Sequence, residues 1–192
     1  KGDVIVEADE YIKHDATIEG AAKLRAAFKK DGTVTAANAS GLNDGAAAFV
    51  LMTADEAKAR GLTPLARIAS WASRGVDPTV MGVGPIPATK RVLEQAGLTM
   101  DDIDLIELNE PFAVQVLTWC DGMGVAPDDP RLNPYGGAIA CGHPLAATGV
   151  RLMAQLAYGF AERLKARYGL TALCIGMGMG AAVVWENLQD GG

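Results

Sequence analysis

Histidine and cysteine are scarce in this chain, with two and three residues respectively among 192. The cysteines, Cys120, Cys141 and Cys174, form no C-x-x-C pair and leave an odd count. With so few ligands no zinc framework or other metal site is expected, and a reducing, intracellular setting fits best. Long apolar runs are also lacking: none reaches the ~18 residues of a membrane span, so no membrane partner is expected. Basic charge is in deficit, 17 Lys and Arg against 23 Asp and Glu for a formal net charge of −6, which argues against a nucleic-acid partner. No P-loop, G-x-S-x-G elbow or H-E-x-x-H is present. The chain begins at Lys1 and not at a methionine, so a cytoplasmic location is the expectation while organellar targeting stays open.

What is present suits a packed α/β core. Hydrophobic residues make up 49% and charged residues 21%, and 192 residues suit one large domain or one domain with parts of a second. Charge is uneven. Residues 98–130 hold eight acidic side chains and no Lys or Arg, whereas Lys23–Lys30 holds four basic residues and no acid. The basic stretch is either a solvated face or the place where an anion such as a nucleotide tail would bind.

The first 42 residues look irregular, with a short strand expected at Val4–Val6 and a helix over Ala21–Lys30 from the Leu24/Phe28 spacing. Asp31-Gly32 should turn the chain. Ala46–Met52 reads as a buried strand, and Thr53 with Glu56 as a capping box for a short helix closed by Gly61. Leu65–Ser70 and Ile103–Leu108 read as strands, Pro87–Gln95 as a helix stopped by Gly97, and Phe112–Trp119 as a buried helix. Pro144 should open a helix running to about Arg167, with Leu152, Leu156, Phe160 and Leu164 on its buried stripe. Ala172–Ile175 and Ala181–Trp185 read as antiparallel strands across a tight glycine turn. Alternating strands and helices imply a layered α/β fold.

Three segments could carry chemistry. In Gly136–Pro144, His143 sits at a helix N-terminus after a glycine-rich loop; it either caps the helix or, kept neutral by the dipole, exchanges protons. Cys174 ends an apolar strand and precedes Gly176-Met177-Gly178; it is either a small buried apolar residue or a thiol beside bare backbone N–H groups that could face an oxyanion. The glycine run is no dinucleotide fingerprint, because a strand follows it. Asn109-Glu110-Pro111-Phe112-Ala113 lies after a strand, where α/β folds bind ligands, but would also serve as a plain turn. Cys120 and Cys141 read as packing residues.

In this order, Asn109-Glu110-x-Phe112-Ala113, Gly142-His143-Pro144 and Cys174-x-Gly176 resemble the three C-terminal active-site blocks of the thiolase family. Upstream, Asn38–Ala46 resembles the thiolase segment that lies along the coenzyme A pantetheine, and the likeness runs from Gly2 to Glu186. The resemblance implies a thiolase fold: residues 1–42 as the end of the coenzyme A-binding loop domain, 43–63 as the last strand and helix of the N-terminal domain, and 64–192 as the C-terminal domain. It implies acyl transfer between acetyl-CoA and acyl-CoA, with coenzyme A thioesters as substrates and no further cofactor. His143 then corresponds to the base that activates a nucleophilic cysteine, Asn109 to the holder of a water in the first oxyanion hole, Cys174 to the acid/base for the α-proton, and Gly176 to a donor of the second oxyanion hole. Its reference thiol pKa of about 8.5 would need only a modest lowering. Ser40, Ala36, Leu42, Phe28, Met81 and Phe112 match positions that contact coenzyme A or line the acyl tunnel.

In the family the nucleophilic cysteine belongs to the N-terminal domain, upstream of the first motif here. The nucleophile and the rest of that domain are therefore expected from elsewhere, in the same protein or a separate chain, and the family resemblance implies a homodimer or tetramer. A non-catalytic acyl-CoA-binding or scaffold subunit is the alternative, and a ketosynthase-like enzyme is disfavoured because those usually place a second histidine where Cys174 stands. Departures from the family pattern are Pro111, Ala146, Thr148 and Met177, the last replacing a glycine beside the thioester site.

Overall fold

The computed structural model describes residues 2–163 and 165–189. In chain order its elements are α1 (Ile18–Ala22), α2 (Ala54–Ala59), β1 (Ala66–Gly75), α3 (Pro85–Ala96), β2 (Leu105–Leu108), α4 (Ala113–Met123), α5 (Ala138–Cys141), α6 (Leu145–Glu162), β3 (Tyr168–Ile175) and β4 (Met179–Asn187), with 3-10 turns at Pro78–Val83 and Met100–Asp102.

Capping chemistry accounts for several boundaries. The Thr53 hydroxyl accepts from the Glu56 N–H at 3.2 Å and starts α2, and Gly61, at φ +64°, follows its end. Only half of the expected capping box forms, because the Glu56 carboxylate pairs with Arg60 one turn on. Helix α3 opens at Pro85, two residues ahead of the expected start, since its fixed φ suits a first helical turn. Gly97 ends it at φ +68°. In α6 the buried stripe Leu152, Leu156, Phe160 is as expected. Pro144 stands at its N-cap and the helix ends at Glu162, short of Arg167; Leu164 lies outside the described residues.

The four strands form one sheet in the order β1-β4-β3-β2. Strand β4 runs antiparallel to both β1 and β3, and β2 runs parallel to β3. The β3–β4 hairpin turns at Gly176–Gly178, as expected. Side chains alternate across β2. Ile106 and Leu108 enter a core with Val92 of α3 and Trp119 of α4, while Leu105 packs with Leu156 and Phe160 of α6. The sheet is thus the middle of three layers, with α3 and α4 on one face and α6 on the other.

Elsewhere the local pattern was overruled. Val4–Val6 and Ala46–Met52 form no strand, and Val4, Val6, Val50 and Leu51 are exposed. A strand needs a neighbour to pair with, and neither run has one among the described residues. Over Ala21–Lys30 only Ala21 and Ala22 are helical, and the chain then turns at Lys29–Gly32, where the Gly32 N–H donates to the Lys29 carbonyl at 3.0 Å. Strand β1 runs five residues beyond Ser70, held by pairing with β4. Helix α4 is only half buried: Trp119 and Cys120 are inside, whereas Val114 and Leu117 face solvent.

Candidate active site

Strands β2 and β3 are parallel, so their C-terminal ends emerge on the same edge, with Leu108 in register with Ala172 and Asn109 donating its N–H to the Ala172 carbonyl at 2.9 Å. That edge carries Asn109 and Cys174 on neighbouring strands. Beyond it Pro111 breaks the strand and Phe112 caps α4.

Glu110 ties down the loop that presents His143. Its carboxylate accepts from Asn133 Nδ2 at 2.6 Å and from the Ile139 N–H at 3.3 Å. Asn133, at φ +45°, also bonds both backbone groups of Leu108, at 2.8 and 2.9 Å. The carboxylate sits directly over Gly137, where any Cβ would overlap it. The short helix α5, which the sequence did not announce, then leads through Gly142 at φ +97° to His143.

Segment Asn38–Asn43 bridges the two blocks. Ser40 donates its N–H to the Pro111 carbonyl at 2.9 Å and its hydroxyl at 3.3 Å, and Ala113 donates to the Asn38 carbonyl at 2.9 Å. At the other end Leu42 pairs with His143, and Asn43 Oδ1 accepts the His143 N–H at 3.0 Å. Phe28 packs edge-on against Phe112, with ring centroids 6.2 Å apart. Met81, half-buried in the 3-10 turn, lies next to Gly82, which abuts Gln115 of α4. Ala36 is exposed upstream of the docked segment.

The His143 ring is tethered at Nδ1. Nδ1 lies 2.7 Å from the hydroxyl of Thr148, itself fully buried and 3.2 Å from the Pro144 carbonyl. A carbonyl can only accept, so the Thr148 O–H donates to Pro144 and its oxygen accepts from Nδ1–H. That leaves the Nε2 lone pair bare, with Asn109 Nδ2 3.4 Å away and able to donate to it. Burial and then the Arg151 charge push His143 below the usual imidazole range, which keeps the ring neutral. Asn109 is 1% exposed, and its Oδ1 has no partner among the described residues.

Cys174 is half-buried opposite Gly180, and Gly176 beyond it has open space around its Cα. Burial pushes the thiol above its ordinary range, opposite to the modest lowering that the sequence led us to expect. Met177 follows at φ +67° and is 88% exposed. Cys120 is buried as expected, but Cys141 is exposed at the end of α5 and is not a packing residue. Sequence reasoning missed Asn43 and Asn133, and noted Thr148 only as a departure. Asparagines beside glycine turns were the only available signal.

The fold defines a layered α/β protein in which Asn109 and His143 meet at one sheet edge and Cys174 lies on the adjoining strand. Residues 62–187 match the family described as "Thiolase, C-terminal domain", and residues 1–55 match "Thiolase, N-terminal domain". The chain is 55% identical over 187 residues to an acetyl-CoA acetyltransferase of Paracoccus denitrificans, covering 97% of this chain and 47% of that protein. It is 49% identical over 189 residues to a beta-ketothiolase of Cupriavidus necator, covering 98% of this chain and 47% of that protein. Among solved structures, the Bacillus anthracis acetyl-CoA acetyltransferase superposes with a TM-score of 0.89 at 43% identity, over 94% of this chain and 45% of that one. Human mitochondrial 3-ketoacyl-CoA thiolase in complex with CoA superposes at 0.85 and 38% identity, over 95% of this chain and 45% of that one. The chain belongs to the thiolase family, and it spans about half the length of the relatives it matches.

Proposed function

We propose that this chain supplies the C-terminal part of a thiolase, with the acid/base groups and oxyanion donors for acyl transfer between coenzyme A thioesters. The observation that carries the reading is the His143 ring, neutral and tethered through Nδ1, with its bare Nε2 beside Asn109. Such an imidazole is a general base aimed in one direction.

In this reading a cysteine outside these 192 residues lies against Nε2. Its S–H proton passes to Nε2, the thiolate attacks the acyl-CoA carbonyl, and the bond to the coenzyme A sulfur breaks as that proton moves to the leaving thiolate. Nε2–H, with a water held by Asn109, faces the transient oxyanion. Cys174 then takes an α-proton from acetyl-CoA while the Gly176 N–H faces the oxygen of the acyl-enzyme carbonyl, which becomes the oxyanion as the carbon–carbon bond forms. The enolate carbon attacks the acyl-enzyme carbonyl, the carbon–sulfur bond to the enzyme breaks, and the released cysteine thiolate takes up the proton that Cys174 removed, which returns Cys174 to its thiolate. Reversal of these steps is thiolytic cleavage of a 3-ketoacyl-CoA.

Coenzyme A is read as lying along Ser40 and Leu42, with Ala36, Phe28, Met81 and Phe112 along the ligand. The docking of Asn38–Asn43 onto both catalytic blocks supports that placement. We read residues 1–42 as the end of a loop domain, 43–63 as the end of an N-terminal domain and 64–192 as the C-terminal domain. The nucleophile and the rest of the N-terminal domain would come from the same protein or a separate chain. Support comes from the half-length match and from the exposed apolar run at Phe49-Val50-Leu51.

The test is Cys174→Ala in a protein that carries both halves. Radioactive acetyl-CoA should still label the nucleophile in a burst, while condensation disappears. Loss of labelling in this variant would remove Cys174 from its role, and labelling that survives His143→Ala would remove His143 from its own.

A further inference from the structure

The Thr148 hydroxyl fixes which way the His143 ring turns, but not where the histidine backbone stands. His143 follows Gly142, whose φ of +97° suits glycine, and precedes Pro144, an N-cap residue with no side-chain acceptor to start α6. The junction between α5 and α6 is therefore free to swing unless something outside it holds on. That hold comes from a hundred residues upstream. Asn43 Oδ1 accepts the His143 N–H at 3.0 Å, and Leu42 bridges His143 beside it. The two stretches lie very close: a Cβ on Gly142 would stand 2.7 Å from the Asn43 amide, and one on Gly45 2.8 Å from the Pro144 ring. At its other end the same segment grips the block that follows Asn109, through the Ser40 N–H to the Pro111 carbonyl and the Ala113 N–H to the Asn38 carbonyl, each at 2.9 Å. Asn38–Asn43 thus ties together the two blocks that place Asn109 Nδ2 3.4 Å from His143 Nε2.

We propose that Asn43 is a positioning residue for His143: it fastens the histidine backbone to the segment that also grips the Asn109 block, and so sets where Nε2 stands relative to Asn109. The inference rests on the reading of His143 as the base. A general base must lie within hydrogen-bond reach of the proton it takes. Misplacement by about 1 Å costs roughly a hundredfold in rate. Without the Asn43 acceptor the His143 N–H loses its partner and Gly142 is released as a hinge. Thr148 still turns the ring correctly, but on a displaced backbone. The same segment is read as lying along coenzyme A, and kinetics separates its two duties. A weaker grip on the ligand appears as a raised half-saturation, whereas a misplaced base lowers the rate at saturation.

The experiment is acylation by radioactive acetyl-CoA in a protein carrying both halves, at about pH 8, where the imidazole is neutral. Asn43→Leu keeps the size and removes the acceptor. It should lower the burst rate constant at saturation by roughly tenfold or more, while half-saturation moves by less than about twofold. Asn43→Asp keeps an acceptor oxygen in place and should recover most of the rate. In the unsubstituted chain, which needs no variant to fold, the His143 amide should exchange slowly with deuterium, as a paired N–H does. The proposal is overturned by an unchanged rate in folded Asn43→Leu, by a loss seen only in half-saturation, by a loss that aspartate does not recover, or by His143 amide exchange at the speed of an open loop. Labelling that disappears in His143→Ala but is undiminished in Asn43→Leu would sink this inference and leave the base reading standing. Labelling that survives His143→Ala would sink the base reading itself.

Discussion

An imidazole works as a base only through the nitrogen that its neighbours leave bare, and at His143 that choice falls to one hydroxyl. Thr148 spends its single O–H on the Pro144 carbonyl, so it can only accept from Nδ1. Thr148→Val keeps the shape but removes the acceptor, at a cost of about 1–2 kcal/mol in orienting the ring. Acylation by a protein carrying both halves should then slow about tenfold, whereas Thr148→Ser should stay close to the parent. Equal rates for the valine and parent proteins, measured as burst rate constants, would remove Thr148 from the mechanism. Cys174 invites a different measurement. Its raised thiol rests protonated at neutral pH, so condensation, which needs the thiolate, should accelerate with pH through the alkaline range. A kcat profile for condensation already flat at pH 7 would contradict this. Glu107, wholly buried on β2, predicts a stability effect. Burial pushes its folded value up to about 7 from an unperturbed 4.5, so between them the folded chain binds more protons than the unfolded one. Stability should fall as pH rises through that window, by roughly 3 kcal/mol in all. Glu107→Gln removes this titration, and urea unfolding from pH 4 to 8 should show the difference between variant and parent growing over that window.

Packing between elements turns on two backbone approaches. Gly180 of β4 lies directly against the Gly84–Pro85 backbone that starts α3, with no room for a Cβ. Gly180→Ala must part helix from sheet in the main core and should cost about 3 kcal/mol, read as a lowered Tm. Gly137 works locally. An alanine there displaces the Glu110 carboxylate, so amide exchange at Ile139 should speed up while β3 and β4 amides keep their protection. The same contrast between local and distant causes explains what the sequence disclosed. Helices α2 and α3 were legible because Thr53, Gly61, Pro87 and Gly97 mark them within a few residues. The β3–β4 hairpin was legible because its apolar runs flank a glycine turn. Val4–Val6 and Ala46–Met52 misled because strand composition cannot supply a pairing neighbour. The extension of β1 through Trp71–Gly75 went unseen because its cause is the register with Met179–Val183, more than a hundred residues away. At the candidate site, motif order pointed to Asn109, His143, Cys174 and Gly176. It could not expose Asn43, a hundred residues from the His143 N–H that it accepts, or the Glu107–Gln155 contact spanning forty-eight.

For the molecule as a whole, the arrangement of apolar surface is the main constraint. Phe49, Val50 and Leu51 are exposed, and with Met153, Tyr158 and Trp185 they border an open apolar cleft of about 520 Å³. Contiguous apolar surface of this kind marks a place where another protein surface belongs. The relatives of this chain are about twice its length, and the family match at residues 1–55 is to the N-terminal domain. The site points the same way: His143 offers a bare lone pair and Cys174 a resting thiol, while the proposed reaction needs a second cysteine against Nε2. The expected behaviour of the purified 192-residue chain is therefore binding of an apolar dye without turnover of acetyl-CoA. Adding a polypeptide that corresponds to the remaining N-terminal half of a thiolase should lower the dye signal, raise the Tm and restore condensation together. Val50→Asp should weaken that association, because it buries a carboxylate against apolar groups. Turnover by the chain alone, in a preparation whose mass spectrum shows no second polypeptide, would mean that one of its own cysteines acts as nucleophile. Exposed Cys141, two residues from His143, would then be the first to replace.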